Sequence, residues 1–446
     1  MSEKSLSISK RDIPVSMEAD VVVAGGGPSG LAAAAAAARS GLSVVLIERY
    51  GFLGGMATAG AVGTVCGMYL HHPDKIEFII EGLAKEITDR LTQMGGAFGP
   101  FIREGFTALV YNPWHMKRLC DGLVQDEPKI RLMLHSYVAD VVVNEGEIRG
   151  LVVASPEGLF GVCGKIYIDA TGDAVLALAS GVETKKGDDK GGGSVMTPTM
   201  MFFTQGMDLV RYQQEGMAVL NDRIKEAVST GKYPLTVSQG LIVPTFRPGE
   251  AMVKISALTK EGRALDGSLV SDLTYGELKG RADAELAVEF LKKEIPGFED
   301  AFLADTAVQV GIRETRRIVG EYVLTEDDVL SGRIFDDSIC FSSWPLEKWE
   351  EGMTEPELVF LNEGSYYGVP YRSLVPKGIA NLLVTGRAIS MDHGALASAR
   401  VMGVCMACGQ AAGTAARIIL KSGVKTRDLD VEELISKLKM DGARLD

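Results

Sequence analysis

Three glycines near the N-terminus form the first group of residues whose spacing implies a particular chemistry. Gly25, Gly27 and Gly30 fit the pattern G-x-G-x-x-G, and the carboxylate of Glu48 follows. In this pattern the first glycine allows a tight turn, the second lets the backbone approach a pyrophosphate, and the third lets a helix pack on a strand. A carboxylate about twenty residues further on accepts hydrogen bonds from a ribose diol. The group therefore predicts a dinucleotide site, with the pyrophosphate at a helix N-terminus.

The segments around these glycines are those that such a site needs. Ala19–Ala24 is typical of a strand buried on both faces of a parallel sheet, and Leu31–Arg39 is an alanine-rich helix that Gly41 can end. Ser43–Glu48 is a second buried strand. A glycine-rich turn could also be a plain connector in a chain with 52 glycines. The complete β-α-β unit favours the dinucleotide site.

Four further segments decide which dinucleotide is bound. Arg49–Thr58 contains a second glycine pair, Ala170–Asp173 forms a polar turn, and Asn381–Arg387 and Gly409–Ala416 lie near the C-terminus. Together with the first unit they resemble, in order, the FAD-contacting segments of the glutathione-reductase and fumarate-reductase flavoprotein superfamily. NAD-only enzymes do not resemble this set.

The resemblance extends to the bacterial FAD-dependent oxidoreductase family and covers nearly the whole chain. It rests on the first unit and on Gly311–Tyr322, Val369–Gly378, Asn381–Ser390 and Ser398–Ala416. It implies the fold and an FAD cofactor, and it leaves the substrate open. The residues that the resemblance and the glycine pattern assign to FAD are Gly25, Gly27, Pro28, Ser29, Gly30, Glu48, Arg49, Gly54, Gly55, Met56, Ala57, Val138, Ala170, Thr171, Gly172, Asp173, Gly386, Arg387, Met402 and Gly403.

The predicted fold class is α/β. We expect a Rossmann-like FAD-binding domain, in which a parallel sheet carries helices on both faces and a β-meander, with an inserted α+β substrate domain. Three strand-like runs between Tyr137 and Asp169 give the meander. The FAD-binding domain is expected at residues 18–60, 135–185 and 372–425, and the substrate-binding cap region at residues 61–134 and 195–371.

Outside these segments, helices are expected at Lys75–Gln93 and Trp114–Val124, and a last helix at about Val401–Lys421. Lys185–Ser194, charged and then glycine-rich, favours a flexible loop at a domain boundary.

Two departures from related flavoproteins refine the cofactor prediction. The members of the fumarate-reductase group that hold FAD covalently carry a histidine in the loop after the first unit, where this chain has Leu53–Met56. We infer non-covalent FAD. No second G-x-G-x-x-G unit follows a strand, so a separate NAD(P)H domain is not expected.

His393 and Arg400 are the leading candidates for catalysis. The resemblance places Met391–Gly394 beside the isoalloxazine ring, where His393 could take a proton from an alcohol or amine as hydride leaves for flavin N5. The alternative is a structural histidine bonded to a backbone carbonyl. Arg400, at the start of the last helix, could bind a substrate carboxylate or the flavin. The helix macrodipole disfavours a positive charge at a helix N-terminus, so an arginine at that position favours a functional role over a structural one.

Arg316 completes the catalytic candidates. It belongs to Gly311–Arg317, which reads as a strand with Arg313 and Arg317 on one face and Arg316 on the other. One face could bind an anionic substrate bidentately. An ion-pair network with Glu314 and Glu321 is the alternative.

Several other residues have two interpretations. Tyr366, Tyr367, Tyr371 and Arg372 could line a substrate pocket or could simply pack. Cys405 and Cys408 form a CxxC in the last helix, which fits either a redox dithiol or small packing residues. His71 and His72 lack companion ligands at metal spacing, and we predict no metal site.

Composition narrows the partners and the compartment. The net charge of -13, without a block of basic residues, disfavours nucleic acid as a partner. The N-terminal residues lack the pattern of a secretory signal, and no apolar run predicts a membrane span. Six irregularly spaced cysteines fit reduced thiols. We therefore expect a cytoplasmic protein, and a homo-oligomer is compatible with the sequence.

Three functions are compatible with these sequence features. The leading hypothesis is an FAD-dependent dehydrogenase or oxidase that removes hydride from a C–OH or C–NH carbon of a small polar metabolite, with a quinone, a carrier protein or oxygen as electron acceptor. The second is a fumarate-reductase-like enzyme that reduces a C=C bond, with an arginine as proton donor. The third is a flavin-dependent RNA-modifying or non-catalytic flavin-binding protein, which the acidic charge disfavours.

Overall fold

The computed structural model of the chain describes residues 12–103, 106–188 and 193–446. Strands and helices are numbered in chain order within these residues. The strands are β1 (Val15–Ala24), β2 (Val44–Ile47), β3 (Thr64–Val65), β4 (Ala97–Arg103), β5 (Phe106–Tyr111), β6 (Ile130–Met133), β7 (Tyr137–Asn144), β8 (Glu147–Ser155), β9 (Gly158–Asp169), β10 (Thr184–Lys185), β11 (Phe202–Gln205), β12 (Leu241–Pro244), β13 (Ala251–Lys254), β14 (Thr259–Lys260), β15 (Arg263–Ala264), β16 (Phe302–Thr306), β17 (Arg317–Ile318), β18 (Ser338–Ser342), β19 (Leu346–Lys348), β20 (Glu357–Val359), β21 (Tyr367–Pro370) and β22 (Leu382–Val384).

The helices are α1 (Pro28–Arg39), α2 (Leu83–Gln93), α3 (Pro113–Gln125), α4 (Val175–Ala179), α5 (Leu209–Arg211), α6 (Met217–Thr230), α7 (Val270–Glu294), α8 (Glu326–Leu330), α9 (His393–Ala399), α10 (Met402–Ser422) and α11 (Val431–Met440). Short 3-10 turns lie at Gly55–Ala57, Tyr371–Leu374, Gly386–Ala388 and Thr426–Asp428, and a π-helical turn lies at Tyr212–Gly216.

The main sheet confirms the predicted β-α-β unit and β-meander. Its parallel strands run in the order β6, β2, β1, β9. The first half of β9 pairs antiparallel with β8, which pairs with β7, while its second half pairs parallel with β22. A single long strand therefore joins the meander to the C-terminal part of the sheet.

Both faces of this sheet are covered, which explains the purely apolar sequence of β1. Val21 and Val23 pack into a core with α1 and α10, whereas Val22 packs into a second core with α4 and the meander. All three valines are fully buried. A strand with this environment shows no polar alternation.

The contact between α1 and α10 depends on glycine. A Cβ atom on Gly409 would lie 2.1 Å from the carbonyl oxygen of Ser29, and one on Gly413 would lie 2.2 Å from that of Ala33. Real Cβ atoms essentially never come so close to a backbone atom. The small residues predicted in the last helix therefore let two helix backbones from opposite ends of the chain meet.

A second sheet lies in the inserted part of the chain. Its four antiparallel strands run in the order β12, β13, β11, β16. Residues of α6 and α7 pack on it to form a separate hydrophobic core between Phe202 and Ala301. This arrangement of strands and helices agrees with the predicted inserted α+β unit.

The structure corrects several details of the sequence analysis. Residues 75–82 are not helical, because α2 begins only at Leu83. Ile130–Met133 extends the main sheet, although it lies in the range assigned to the cap region. Leu324–Leu361 contributes to the same core as α1 and α10, so residues 195–371 do not pack as one unit. The predicted loop Lys185–Ser194 includes residues 189–192, which lie outside the described residues.

Among the described residues, α10 is the one helix long and apolar enough to cross a membrane by length and composition. Inside the protein, 83% of its most apolar window is buried, as expected of a core helix, and a single such helix is weak evidence for a span.

The glycine contact gives a matched pair of substitutions. Gly413→Ala puts a Cβ against the backbone of α1, whereas Gly122→Ala in α3 meets nothing within 4 Å. Both changes favour helix by about 1 kcal/mol, but only Gly413→Ala forces the helices apart, at a cost of about 1–3 kcal/mol. We expect thermal unfolding to show a lower Tm for Gly413→Ala and an equal or higher Tm for Gly122→Ala. Equal Tm values for the two variants would contradict the close contact.

Candidate functional site

The residues predicted to bind a dinucleotide lie together at one edge of the main sheet. Four neighbouring parallel strands, β2, β1, β9 and β22, end here. The segments that follow them are Glu48, Gly25–Gly30, Ala170–Asp173 and Gly386–Arg387. They are in contact: a Cβ on Gly25 would lie 2.5 Å from the carbonyl oxygen of Ala170, and one on Gly386 would lie 2.8 Å from Ser29 Oγ. Ligands of open α/β sheets bind at this edge.

Gly27 shows that the turn is built for a group outside the protein. Its φ of -73° is one that any residue adopts, and a Cβ there would have only Gly55 Cα nearby, at 3.8 Å. The neighbouring Gly25, at a φ of +98°, must be glycine for the fold itself, whereas a Cβ on Gly26 would meet the end of a side chain, Leu53 Cδ2, at 2.3 Å. Gly27 leaves open space at the N-terminus of α1, which no side chain caps. This cradle fits a pyrophosphate.

The position of Glu48 is compatible with its predicted role in binding a ribose. It is buried directly after β2, and its carboxylate accepts hydrogen bonds from the backbone N–H of Gly26 at 2.7 Å and of Tyr50 at 2.9 Å. A carboxylate has about four acceptor positions. Capacity therefore remains for the hydroxyls of a ribose.

The turn after β9 is held by the turn after β22. Arg387 donates to the carbonyl oxygen of Gly172 at 2.7 Å, to Asp173 Oδ1 at 2.7 Å and to the carbonyl oxygen of Ile312 at 2.8 Å. Thr315 Oγ1 donates to the same Gly172 carbonyl at 3.0 Å. Arg387 and Asp173 are therefore structural to the site, since they fix two of its loops against each other.

Asp169 is a residue of this turn that sequence reasoning missed. It is fully buried, accepts hydrogen bonds from the hydroxyl and N–H of Thr171, and caps α4 through the N–H groups of Leu176 and Ala177. The sequence signal that could have identified Asp169 is an aspartate at the end of a strand, two residues before the hydroxyl side chain of Thr171.

The second glycine loop packs directly on the first. Gly54 and Gly55 have φ angles of +106° and +50°, and a Cβ on Gly55 would lie 2.9 Å from Gly27 Cα. Arg49 reaches from this loop to Asp173, 3.9 Å away, and to Gln309 Oε1 at 3.3 Å. The loop thus borders the same cradle as predicted.

The last helix begins beside this loop system. Gly403 N donates to the carbonyl oxygen of Cys66 at 3.0 Å, and a Cβ on Gly403 would lie 2.7 Å from the carbonyl oxygen of Gly67. Tyr111 OH donates to the carbonyl oxygen of Ala57 at 2.8 Å and lies 4.0 Å from Met402 Sδ. Val138 is buried in β7, the first strand of the meander, and its role toward FAD stays a prediction.

His393 is held by two carboxylates, and their charge bears on its predicted role as a base. Its Nδ1 lies 3.0 Å from Glu314, and its Nε2 lies 2.9 Å from Glu350. Burial disfavours the charged ring, but the hydrogen bonds to Glu314 and Glu350 outweigh it and raise the pKa of His393 to about 9. A pKa of about 9 favours the imidazolium form at neutral pH and so disfavours His393 as a proton acceptor there.

Glu314 and Arg317 complete this buried charge network. Arg317 pairs with Glu314, and its other donors reach the carbonyl oxygens of Met391 at 2.9 Å and Gly187 at 3.0 Å. Glu314 also accepts from the N–H groups of Gly187 and Met196. The expected pairing of Glu314 is confirmed, whereas Glu321 lies 3.9 Å from Arg427 instead.

The predicted strand from Gly311 to Arg317 does not form; only Arg317 and Ile318 belong to a strand, β17. Alternation therefore does not apply, and Arg313 and Arg317 point to different partners. Arg317 lies in the network above, while Arg313 donates to the carbonyl oxygen of Thr197 and lies over the ring of Trp349, 4.5 Å from its centroid. The segment is irregular because consecutive residues bond to different parts of the protein.

Arg313, Arg400 and Glu347 form a second group, which we call the cationic cluster. Arg400 Nη2 lies 3.4 Å from Glu347 Oε2 and 3.2 Å from the Glu347 carbonyl oxygen. Its buried Nε has no hydrogen-bond partner among the described residues. Arg400 lies at the C-terminal end of α9 and not at the start of the last helix, so the helix macrodipole stabilises its positive charge. An unfavourable macrodipole therefore no longer indicates a functional role for Arg400. The buried Nε without a hydrogen-bond partner indicates such a role more strongly.

The electrostatics of the cationic cluster show an excess of positive charge. Burial and then the neighbouring Arg400 lower the pKa of Arg313 to about 10, although Glu347 opposes them. Burial raises the pKa of Glu347, but Arg400, Lys254 and Arg313 outweigh it and hold that pKa below its ordinary value. Lys254 lies 4.7 Å from the Trp349 centroid. Two guanidinium groups and an ammonium thus surround one ionised carboxylate.

Sequence reasoning missed Glu347, Trp349 and Lys254. They come from β19, the residue after it and the end of β13, strands that are far apart in the chain. The concentration of charged and tryptophan residues in the segment Trp344–Glu351 was the only sequence signal.

The other candidates are structural or stay predictions. Tyr367 OH bonds to Ser398 Oγ and Tyr371 OH to the carbonyl oxygen of Thr426, both in the core, and Arg372 pairs with Asp337. These contacts favour a structural packing role for the three residues and disfavour a role in lining a substrate pocket. No hydrogen bond or ion pair joins Arg316 to another described residue, and its catalytic role stays a prediction.

The CxxC and metal hypotheses are little changed. Cys405 and Cys408 are buried in α10, and burial raises the pKa of the Cys405 thiol to about 12, which disfavours a reactive thiolate. No group of three metal-ligating side chains occurs within residues 12–103, 106–188 and 193–446.

Comparison with known proteins identifies the family. The sequence model of a family described as FAD dependent oxidoreductase matches residues 20–438. A thiamine thiazole synthase of Methanococcus aeolicus is 28% identical over 185 residues, which are 40% of this chain and 62% of that relative. The chain thus spans less than two thirds of the length of this curated relative.

Two solved structures illustrate the more distant likenesses. A geranylgeranyl bacteriochlorophyll reductase-like protein of Thermoplasma acidophilum is 13% identical, with 95% of this chain and 83% of that chain covered and a TM-score of 0.43. A p-nitrophenol 4-monooxygenase of Pseudomonas putida is also 13% identical, with 95% and 84% covered and a TM-score of 0.44.

The cradle at Gly27 gives a direct test of the cofactor site. Gly27→Ala fits the protein, because the added Cβ has no neighbour closer than 3.8 Å, but it occupies the space through which the backbone approaches the pyrophosphate. We expect a fold and Tm of the apoprotein like those of wild type, with FAD retention lowered by about tenfold or more. Fluorescence titration of the apoprotein with FAD measures it. Unchanged FAD affinity would show that the turn is only a connector.

Proposed function

We propose that this chain, which belongs to the FAD dependent oxidoreductase family, transfers hydride between a small anionic metabolite and flavin N5. The observation that carries the proposal is the cationic cluster, in which Arg400 keeps an unpartnered Nε beside the start of α10. The favoured direction is oxidation of a C–OH or C–NH carbon, by a dehydrogenase or an oxidase.

FAD, when bound at the four strand ends, supplies the N5 atom that accepts or donates hydride. The chain supplies the surroundings of the substrate. Arg313 and Arg400 would bind a substrate carboxylate with charge-assisted hydrogen bonds, which their planar donors make well. Cys66 lies between the predicted FAD site and the cationic cluster. Its carbonyl oxygen accepts a hydrogen bond from Gly403 N at the start of α10. Its thiol interacts electrostatically with Glu347, Arg400 and Lys254.

Glu347 is the group placed to take the proton in oxidation. It is ionised, because the surrounding cations lower its pKa, and it is about one-fifth exposed. Its basicity is modest, so it can accept a proton only as the hydride leaves. The raised pKa of His393 argues against this role for it at neutral pH.

Reduction of a C=C bond is the second candidate, and one observation favours it. A buried arginine whose pKa falls to about 10, as that of Arg313 does, is a better proton donor than an ordinary guanidinium. Arg313 would then protonate the carbon next to the one that receives hydride.

Different pH profiles accompany the two directions. In oxidation, Glu347 acts as a base with a lowered pKa, so kcat stays constant from about pH 5 to about pH 8. In reduction, Arg313 must be protonated, and kcat falls as the pH rises through about 10. Anaerobic stopped-flow mixing of the oxidised holoenzyme with 2-hydroxy and 2-amino acids, and of the reduced holoenzyme with unsaturated acids, measures both. We expect flavin reduction by an acid of the first set.

Arg400→Met tests whether the cluster binds an anion. Removing one partner of a buried charge pair costs about 2–5 kcal/mol, which is about 30-fold or more in affinity. We expect succinate to perturb the flavin absorbance of the wild-type holoenzyme and this response to be weakened by at least that factor. Arg427→Met, at a surface pair remote in sequence from the cluster, is the control and should bind like wild type. Equal succinate binding by Arg400→Met would refute the anion site.

A further inference from the structure

The network around His393 joins two of the three chain segments that build the cationic cluster, and the third, which carries Arg400, is the end of the helix that His393 begins. Glu314, on Nδ1 at 3.0 Å, directly follows Arg313 in the chain. Glu350, on Nε2 at 2.9 Å, directly follows Trp349. Trp349 in turn donates from Nε1 to Glu347 at 2.9 Å and lies under Arg313. One imidazole ring therefore fixes both sides of the cluster, although it belongs to neither.

We propose that His393 is a positioning residue, whose imidazolium bridges Glu314 and Glu350 and so holds Arg313, Trp349 and Glu347 in the arrangement that receives the substrate anion. The inference rests on the proposed function, because the residues that it positions form the proposed substrate site. His393 acts through its two carboxylate partners.

The charge of the ring decides the stability of this arrangement. With the ring protonated, His393 and Arg317 balance Glu314 and Glu350. A neutral ring leaves one buried negative charge in excess, and the two carboxylates then repel each other across it. The repulsion separates the segment that carries Arg313 from the segment that carries Trp349.

Other charged groups face the ring less closely. Asp392 caps α9 directly before His393, and Glu326 of α8 packs against Gly394. Glu326 is paired with Lys348 of β19 at 2.7 Å. His393 is also the first residue of α9, where the macrodipole opposes a cation. Among the described residues, Glu314 and Glu350 offset the effects of the macrodipole and of burial, both of which disfavour the protonated ring.

The protonation of His393 sets the direction in which anion binding changes with pH. The pKa of His393 is raised from 6.5 to about 9, so the bridge is fully present below about pH 6.5 and is lost as the pH rises through 9. Anion binding should weaken over the same interval. A general base would behave oppositely, gaining activity as the ring loses its proton.

Succinate binding to the FAD-loaded protein, followed by flavin absorbance between pH 6 and 10, tests this. In wild type we expect the Kd to rise with a midpoint near pH 9, before the further rise that deprotonation of Arg313 near pH 10 adds in every variant. His393→Gln keeps the hydrogen-bonding shape without charge and should raise the Kd about tenfold at pH 7, with no midpoint near 9. His393→Lys restores the charge and should recover most of the affinity at pH 7. His72→Gln, at an exposed pair with Glu363, should match wild type.

Tryptophan emission gives a readout that does not depend on an anion site. Loss of the bridge moves Trp349, so wild-type emission should change with a midpoint near pH 9, and His393→Gln and Trp349→Phe should lack this change. If wild type fails to bind succinate but shows the emission change, the anion site is wrong and the bridge stands. If His393→Gln matches wild type in both Kd and emission profile, the positioning role is wrong.

Discussion

The close approach of α1 and α10 is the constraint on which the rest of the structure depends. Two helices from opposite ends of the chain touch through Gly409 and Gly413, at distances that no side chain allows. The same two regions of the chain meet in the main sheet, where β1 and β22 both pair with β9, so the turns that contain Gly27 and Arg387 share one edge. A cofactor site assembled from both chain ends requires it.

The inserted part of the chain is attached to this edge through the irregular segment 311–317. Ile312 and Thr315 bond to the loops of the cofactor site, Glu314 and Arg317 lie in the His393 network, and Arg313 lies in the cationic cluster. Consecutive residues thus connect three sites, which explains why no regular strand forms there. It also gives a physical route by which charge at His393 affects a neighbouring anion site.

Local patterns predicted the cofactor half of the protein well and the substrate half poorly. The β-α-β unit, the meander and the last helix each follow from adjacent residues, and their positions were confirmed. The cationic cluster combines Arg313, Glu347 and Arg400, with Lys254 as a neighbouring charge, and their proximity depends on tertiary packing that no local pattern records. The raised pKa of His393, which disfavours it as a base, was not predicted for the same reason: its own sequence segment contains neither Glu314 nor Glu350.

The central claim is that an anionic metabolite binds at the cationic cluster, next to a flavin held at the four strand ends. A crystal structure of the holoenzyme with succinate tests it most directly. The account predicts FAD at Gly27, Glu48 and Arg387, and a succinate carboxylate bonded to Arg400 Nε and Arg313. FAD bound in that place with the cluster empty, or with succinate held by other residues, would contradict the account.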